Sequence, residues 1–80
     1  MTDKRERKLN ELEQILDNNE DSKNIEYFKA YIQFYQVYYD IDLDEAQRNA
    51  SGDLMHCDDF DDCIGTLIDA YYELKKLNKN

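Results

Sequence analysis

Apolar residues recur every three or four positions along most of the chain, which is the spacing of one face of an α-helix. Proline is absent, and the only glycines are Gly52 and Gly65, so the residues that tight turns between strands require are missing. The pattern predicts an all-α fold, a small helical bundle of three longer helices and one short helix. At 80 residues the chain is expected to form one domain over residues 1–80.

The first helix is predicted over residues 2–17, capped by Thr2 or Asp3, with a narrow apolar stripe made of Leu9, Leu12, Ile15 and Leu16. Its start carries a cluster of bases interleaved with acids, namely Lys4, Arg5, Arg7 and Lys8. This alternation favours a solvated face over a basic contact site. Residues 18–22 are predicted to form a loop that supplies Ser22 or Asp21 as the next N-cap.

The second helix, predicted over residues 23–39, is the most aromatic part of the chain. One apolar seam is typical of a helix–helix contact and consists of Ile25, Phe28, Ile32, Tyr35 and Tyr39. A second stripe lies beside it and consists of Tyr27, Tyr31, Phe34 and Tyr38. So broad an apolar surface is either sandwiched between other helices or leaves one face for a partner. We expect this helix to be central in the bundle, with the Tyr-rich stripe as an alternative surface for binding or homodimerisation.

A short third helix is predicted over residues 43–50, capped by Asp42 or Asp44 and ended by Gly52 as its C′ residue. The fourth helix is expected to begin between Asp53 and Asp58 and to end near Asn78. Its predicted apolar face consists of Cys57, Phe60, Cys63, Ile64, Leu67, Ile68, Tyr71 and Leu74, opposite the acids Asp58, Asp62, Asp69 and Glu73. Both cysteines are expected to be buried, reduced thiols.

The net charge of −9 is concentrated in residues 40–62, which hold nine acids and a single base, Arg48. Such acidity argues against a protein that itself binds nucleic acid or an anionic membrane, because both need a basic surface. No apolar stretch approaches the ~20 residues of a membrane-spanning helix, and no apolar run follows the basic start as in a secretory signal. We therefore expect a cytoplasmic protein.

Candidate metal and catalytic residues are few. Asp40, Asp42 and Asp44 occupy the first three ligand positions of a calcium loop, but Glu45 replaces the glycine and Ser51 replaces the bidentate glutamate. His56, Cys57 and Cys63 have a spacing that does not suit zinc. With one histidine and no phosphate-binding loop, the sequence predicts no metal, no cofactor and no catalysis.

The acids of residues 40–62 exceed the two or three that helix capping uses, and a dense negative field speeds association with a basic protein. The acids expected to contact such a partner are Asp40, Asp42, Asp44, Glu45, Asp58, Asp59, Asp61, Asp62, Asp69 and Glu73. The aromatic anchors expected beside them are Tyr27, Tyr31, Phe34 and Tyr38. Solubility and helix capping are the alternative role for the acids.

The preferred hypothesis is a small acidic inhibitor or adaptor that binds a basic surface, such as the nucleic-acid channel of an enzyme. In size, composition and charge distribution the chain resembles the small acidic DNA-mimic, anti-defence and nuclease-immunity proteins. The resemblance implies carboxylates standing in for phosphates. The abundance of Asn, Lys, Asp, Ile and Tyr, which AT-rich codons encode, suits a low-GC bacterium or its phage. The alternative is a structural or regulatory helical module that self-associates through its Tyr-rich stripe.

Overall fold

In a computed structural model, which describes residues 3–18 and 24–77, the chain forms four helices and, within those two ranges, no strand. They are α1 (Asp3–Asn18), α2 (Ile25–Tyr39), α3 (Leu43–Leu54) and α4 (Phe60–Leu77). The predicted all-α bundle is confirmed. The proposed caps Thr2, Asp21 and Ser22 and the predicted end at Asn78 lie outside the described residues.

The second helix is central, as predicted, because α2 contacts each of the other three helices while α1 contacts α2 alone. On one side of α2, Phe28 and Ile32 are buried in a common core with residues of α3 and α4. Ala30 of α2 and Leu12 of α1 are buried outside that core, and α2 is the helix that α1 contacts. An apolar surface this broad serves two contacts at once, which explains why α2 is hydrophobic around most of its circumference.

Arg5 joins the start of α1 to the end of α2, so these two helices run antiparallel. Its guanidinium donates hydrogen bonds to the carbonyl oxygen of Val37, at 3.1 Å, and to that of Tyr38. The last carbonyls of a helix lack partners within the helix and carry its negative dipole end. Since α2 has no base in its own last turn, α1 supplies the cation. This member of the basic cluster therefore has a structural role that the sequence pattern did not predict.

Side chains cap α2 and α3. Asn24 has an extended backbone, and its Oδ1 accepts a hydrogen bond from the Glu26 N–H at 2.9 Å, so Asn24 caps α2 in place of the predicted Ser22 or Asp21. Of the two predicted caps of α3, Asp42 or Asp44, it is Asp42 that caps the helix, because its Oδ1 accepts from the Glu45 N–H at 2.8 Å. Between the two helices, Asp40 adopts a left-handed conformation with φ 55°, which turns the chain from α2 into α3.

Two predicted boundaries were wrong. The third helix continues through Gly52 to Leu54, and Gly52 has no positive φ. Ala46, Ala50 and Leu54 are successive buried residues on one face, so burial of Leu54 favours continuing the helix past the glycine. The fourth helix consequently begins only at Phe60, after a tight connection over residues 55–59.

Three side chains near or in α4 have surroundings that differ from the prediction, and for Cys57 and Asp58 the reason is the later start of the helix. Cys57 lies in the connection and is exposed, whereas Cys63 in the first turns of α4 is buried. Asp58 precedes the helix, so it is not part of the acidic face of α4 on which the sequence placed it with Asp62. Ile68, predicted to lie on the apolar face of α4, is 39% exposed.

Among the described helices, none combines the length and the apolar character needed to cross a lipid bilayer.

Candidate functional site

Four carboxylates crowd the connection into α4 and its first turn; we call Asp58, Asp59, Asp61 and Asp62 the acidic turn. All four residues are exposed. The backbone carbonyl of Asp59 accepts hydrogen bonds from the N–H groups of Asp62 and Cys63, both at 3.0 Å, which starts the helix. The positive end of the α4 dipole therefore lies beneath these charges and stabilises them.

None of the four carboxylates of the acidic turn makes a hydrogen bond or an ion pair with another described residue. At the starts of α2 and α3, by contrast, a side-chain oxygen accepts a backbone hydrogen bond: Asn24 caps α2 and Asp42 caps α3. Over residues 3–18 and 24–77 the single ion pair joins Lys29 to Glu26 at 3.3 Å. The acidic turn is thus a set of charges that the described fold leaves to solvent.

The acidic turn continues into a stripe on α4. Asp62, Asp69 and Glu73 follow one another at intervals of seven and four residues, which places them on one helical face, and all three are exposed. From Asp62 to Glu73 the stripe extends about 16 Å along the axis, at ~1.5 Å per residue. These predicted partner-binding residues lie together on the surface.

The other predicted acids occupy the opposite end of α3 and have structural contacts. Asp42 caps α3, and a carboxylate oxygen of Asp44 accepts a hydrogen bond from the Tyr71 hydroxyl of α4. Asp40 ends α2, while the backbone of Glu45 donates to Asp42. A 12-residue helix separates this group from the acidic turn, about 18 Å along its axis. The structure therefore divides the acid-rich segment into two groups.

The calcium-loop and zinc candidates do not assemble. In the described part of the chain, no three side chains of His, Cys, Asp or Glu converge so that they could hold a metal ion. Asp42 and Asp44 instead bind a backbone N–H and a tyrosine hydroxyl, respectively.

The Tyr-rich stripe of α2 is partly covered. Tyr27 and Tyr31 pack against the core formed by α2, α3 and α4, and Phe34 is half-buried. Tyr38 is 51% exposed, and its ring stacks on that of Phe34 with centroids 5.7 Å apart. Only the end of the stripe near the C-terminus of α2 is open to a partner.

Three side chains among the described residues have raised pKa values. Burial, aided by the negative charge of Asp53, raises the pKa of Tyr31 to about 12. The hydrogen bond to Asp44 is the main reason that the pKa of Tyr71 is raised. Burial likewise raises the pKa of the Cys63 thiol, with a contribution from Cys57 and neighbouring acids. Cys63 is therefore a poor nucleophile, because its reactive thiolate form is disfavoured.

Two depressions flank the C-terminal half of α2. The larger, about 710 Å³, lies between α1 and α2 and is lined by Arg5, Lys8, Gln33, Gln36, Val37, Asp40 and Ile41. The guanidinium of Arg5 in this depression is already hydrogen-bonded to carbonyl oxygens of α2. The lining contains both bases and an acid, so it has no single sign of charge. The smaller, about 380 Å³, lies between α2 and α3 and is lined by Tyr35, Tyr39, Ile41, Asn49 and Asp53.

The sequence pattern did not single out the smaller depression as a site. Tyr35 and Tyr39 were assigned to a helix–helix seam, yet Tyr39 is 58% exposed. Asn49 and Asp53 line the depression with these rings because α3 packs along α2, and Asp53 is part of that helix only because α3 continues past residue 50. The one available signal was the surplus of tyrosine near the end of α2, since tyrosine suits surfaces that are both apolar and wet.

Comparison with protein-family models, curated protein sequences and solved structures finds no match to this chain.

Proposed function

We propose that this protein is a small acidic inhibitor or adaptor that binds a basic surface of another protein through its acidic turn and the stripe on α4. The observation that carries the proposal is that four adjacent, exposed carboxylates have no hydrogen bond or ion pair with any described residue. Their mutual repulsion is unfavourable for folding. A basic partner would relieve that repulsion.

The partner surface we propose is the nucleic-acid-binding channel of an enzyme. Such channels are lined with Lys and Arg that neutralise phosphates. The acidic turn offers carboxylates in place of phosphates, and the stripe through Asp69 and Glu73 extends the negative surface along α4. A protein of this kind suits an anti-defence or immunity role in a bacterium or its phage. Binding would be fast at low salt and would weaken as salt rises, because exposed charges are screened.

Charge reversal tests the proposal. A variant with Asp58, Asp59, Asp61 and Asp62 changed to Lys should lose capture of a basic partner from cell lysate, whereas the unchanged protein should capture it in a salt-dependent manner. The matched control reverses four exposed acids of α1, which alters the net charge equally: Glu6, Glu11, Glu13 and Asp17. Circular dichroism of both variants checks that the helices persist.

Capture that survives reversal of the acidic turn would refute the proposed surface. Equal loss in both variants would also refute it, because net charge alone would then explain binding. Duplex DNA added to the captured complex should displace the acidic protein if both occupy one channel. A complex that DNA does not disturb would exclude the nucleic-acid channel as its binding site.

A self-associating helical module is the second candidate, and the exposed Tyr38 at the open end of the Tyr-rich stripe supports it. In that case the acids serve solubility and helix capping. Sedimentation at micromolar concentration separates the two functions, because a strictly monomeric protein would refute self-association.

A further inference from the structure

The depression between α2 and α3, lined by Tyr35, Tyr39, Ile41, Asn49 and Asp53, has the composition of a cation-binding site. We call it the tyrosine recess. Its volume of about 380 Å³ is within the usual range for small-ligand pockets, roughly 300–1,000 Å³. Its lining includes no residue of the acidic turn, since its acid belongs to α3 and its rings belong to the last two turns of α2.

The recess is lined by two aromatic rings, those of Tyr35 and Tyr39. Tyr35 and Tyr39 have centroids 5.7 Å apart, and their rings are tilted by 52°. Tyr31 stacks on Tyr35 at 5.2 Å and 25°, whereas Tyr39 is 58% exposed, so the ring of Tyr39 is the more open of the two. The face of an aromatic ring attracts a cation within about 6 Å of its centroid.

The polar groups of the recess, Asn49 and Asp53, also favour a cation. Asp53 is exposed, and its carboxylate binds no base among the described residues. The negative charge of Asp53 is, after burial, the second cause of the raised pKa of Tyr31, the residue that stacks on Tyr35. The Asn49 amide adds a carbonyl acceptor at the same edge. A cation placed here lies beside two tyrosine rings and one carboxylate.

We propose that the tyrosine recess binds an arginine side chain of the basic partner, which rests on the proposed function for the source of that arginine. A guanidinium is planar and weakly hydrated, stacks on tyrosine rings and presents a fork of donors to a carboxylate. The ammonium of lysine is compact and strongly hydrated, so it loses more on entering a site walled by rings and Ile41. The recess therefore selects arginine over lysine.

A small probe tests the recess without any partner protein. In a two-dimensional NMR titration of the full chain, N-acetyl-arginine amide should shift the backbone signals of Asn49 and Asp53 and the ring signals of Tyr39 in a saturable manner. The neutral isostere N-acetyl-citrulline amide should produce no saturable shift. N-acetyl-lysine amide should bind several-fold more weakly than the arginine probe.

Single variants separate the recess from general acidity. Asp53→Asn should weaken binding of the arginine probe at least about fivefold, because a charge-assisted, bidentate contact becomes a neutral one. Asp61→Asn removes the same charge from the acidic turn and should change the affinity by less than about twofold, since exposed charges at a distance are screened. Tyr39→Leu should weaken binding while Tyr39→Phe, which keeps the ring face, should retain it.

The proposal is overturned if the arginine probe gives no saturable shift, if citrulline or lysine binds equally well, or if Asp61→Asn weakens binding as much as Asp53→Asn. Because this titration contains no partner protein, its failure refutes arginine binding in the recess and leaves the proposed function untouched. Reversal of the acidic turn remains the separate test of the proposed function.

Discussion

Replacing Gly52 by Ala should stabilise the protein. Gly52 lies inside α3 without a positive φ, and a Cβ built on it meets no atom within 4 Å. Alanine in a helix interior is more stable than glycine by about 0.5–1 kcal/mol, because glycine loses more backbone freedom on folding. If Gly52 were instead the left-handed C′ residue that the sequence suggests, alanine there would cost about 1–2 kcal/mol. The two possible conformations of Gly52 thus predict opposite signs for the change in the free energy of unfolding.

Thermal denaturation followed by far-ultraviolet circular dichroism measures the difference. For a domain of this size, a gain of 1 kcal/mol raises Tm by about 4–8 °C, which is readily resolved. Gly65→Ala is the matched control, because Gly65 lies inside α4 with an equally open Cβ position and should be stabilised in either case. A lower midpoint for Gly52→Ala beside a higher one for Gly65→Ala would show that α3 ends before Gly52.

Two further substitutions test the caps and the titrating groups. Asp42→Ala should lower the free energy of unfolding by about 0.5–2 kcal/mol, because the α3 cap is lost. Asp58→Ala should change it little, because the Asp58 carboxylate bonds no described residue. Equal losses of stability in urea denaturation would instead indicate that Asp58 caps a helix. For pH, the pKa of Tyr31 is about 12 in the folded protein against 10.0 ordinarily, so the unfolded chain releases its proton first and stability should fall as pH rises from about 10 to 12. Tyr31→Phe should show a shallower fall over that window, and an unchanged slope would contradict the proposed burial of the hydroxyl.

The sequence pattern was most informative about α2. Its residues repeat at intervals of three and four on two adjacent stripes, and helix identity follows from that periodicity alone. Its central place also followed, since a helix with so little polar surface needs neighbours on more than one side. Local chemistry similarly limited the cap of α3 to Asp42 or Asp44, because a capping hydrogen bond such as the one that Asp42 makes spans only three residues.

Contacts between residues far apart in the chain had no such signal. Tyr71 and Asp44 are 27 positions apart, and Arg5 reaches the end of α2 over more than thirty. The tyrosine recess belongs to the same class, since Asp53 meets Tyr35 and Tyr39 only when α3 packs along α2. Periodicity shows which face of a helix is apolar, but not which neighbour covers it.

The sequence by itself determined the helical class, the order of the helices and the concentration of charge, because these depend on residue type and local spacing. Only the tertiary structure decided where α3 ends, since burial of Leu54 outweighs the helix-ending tendency of Gly52. It also divided the acids of residues 40–62 into a group with structural contacts around Asp42 and Asp44 and the exposed acidic turn at α4. That division depends on distances and hydrogen bonds across the fold, which a linear pattern of charges does not contain.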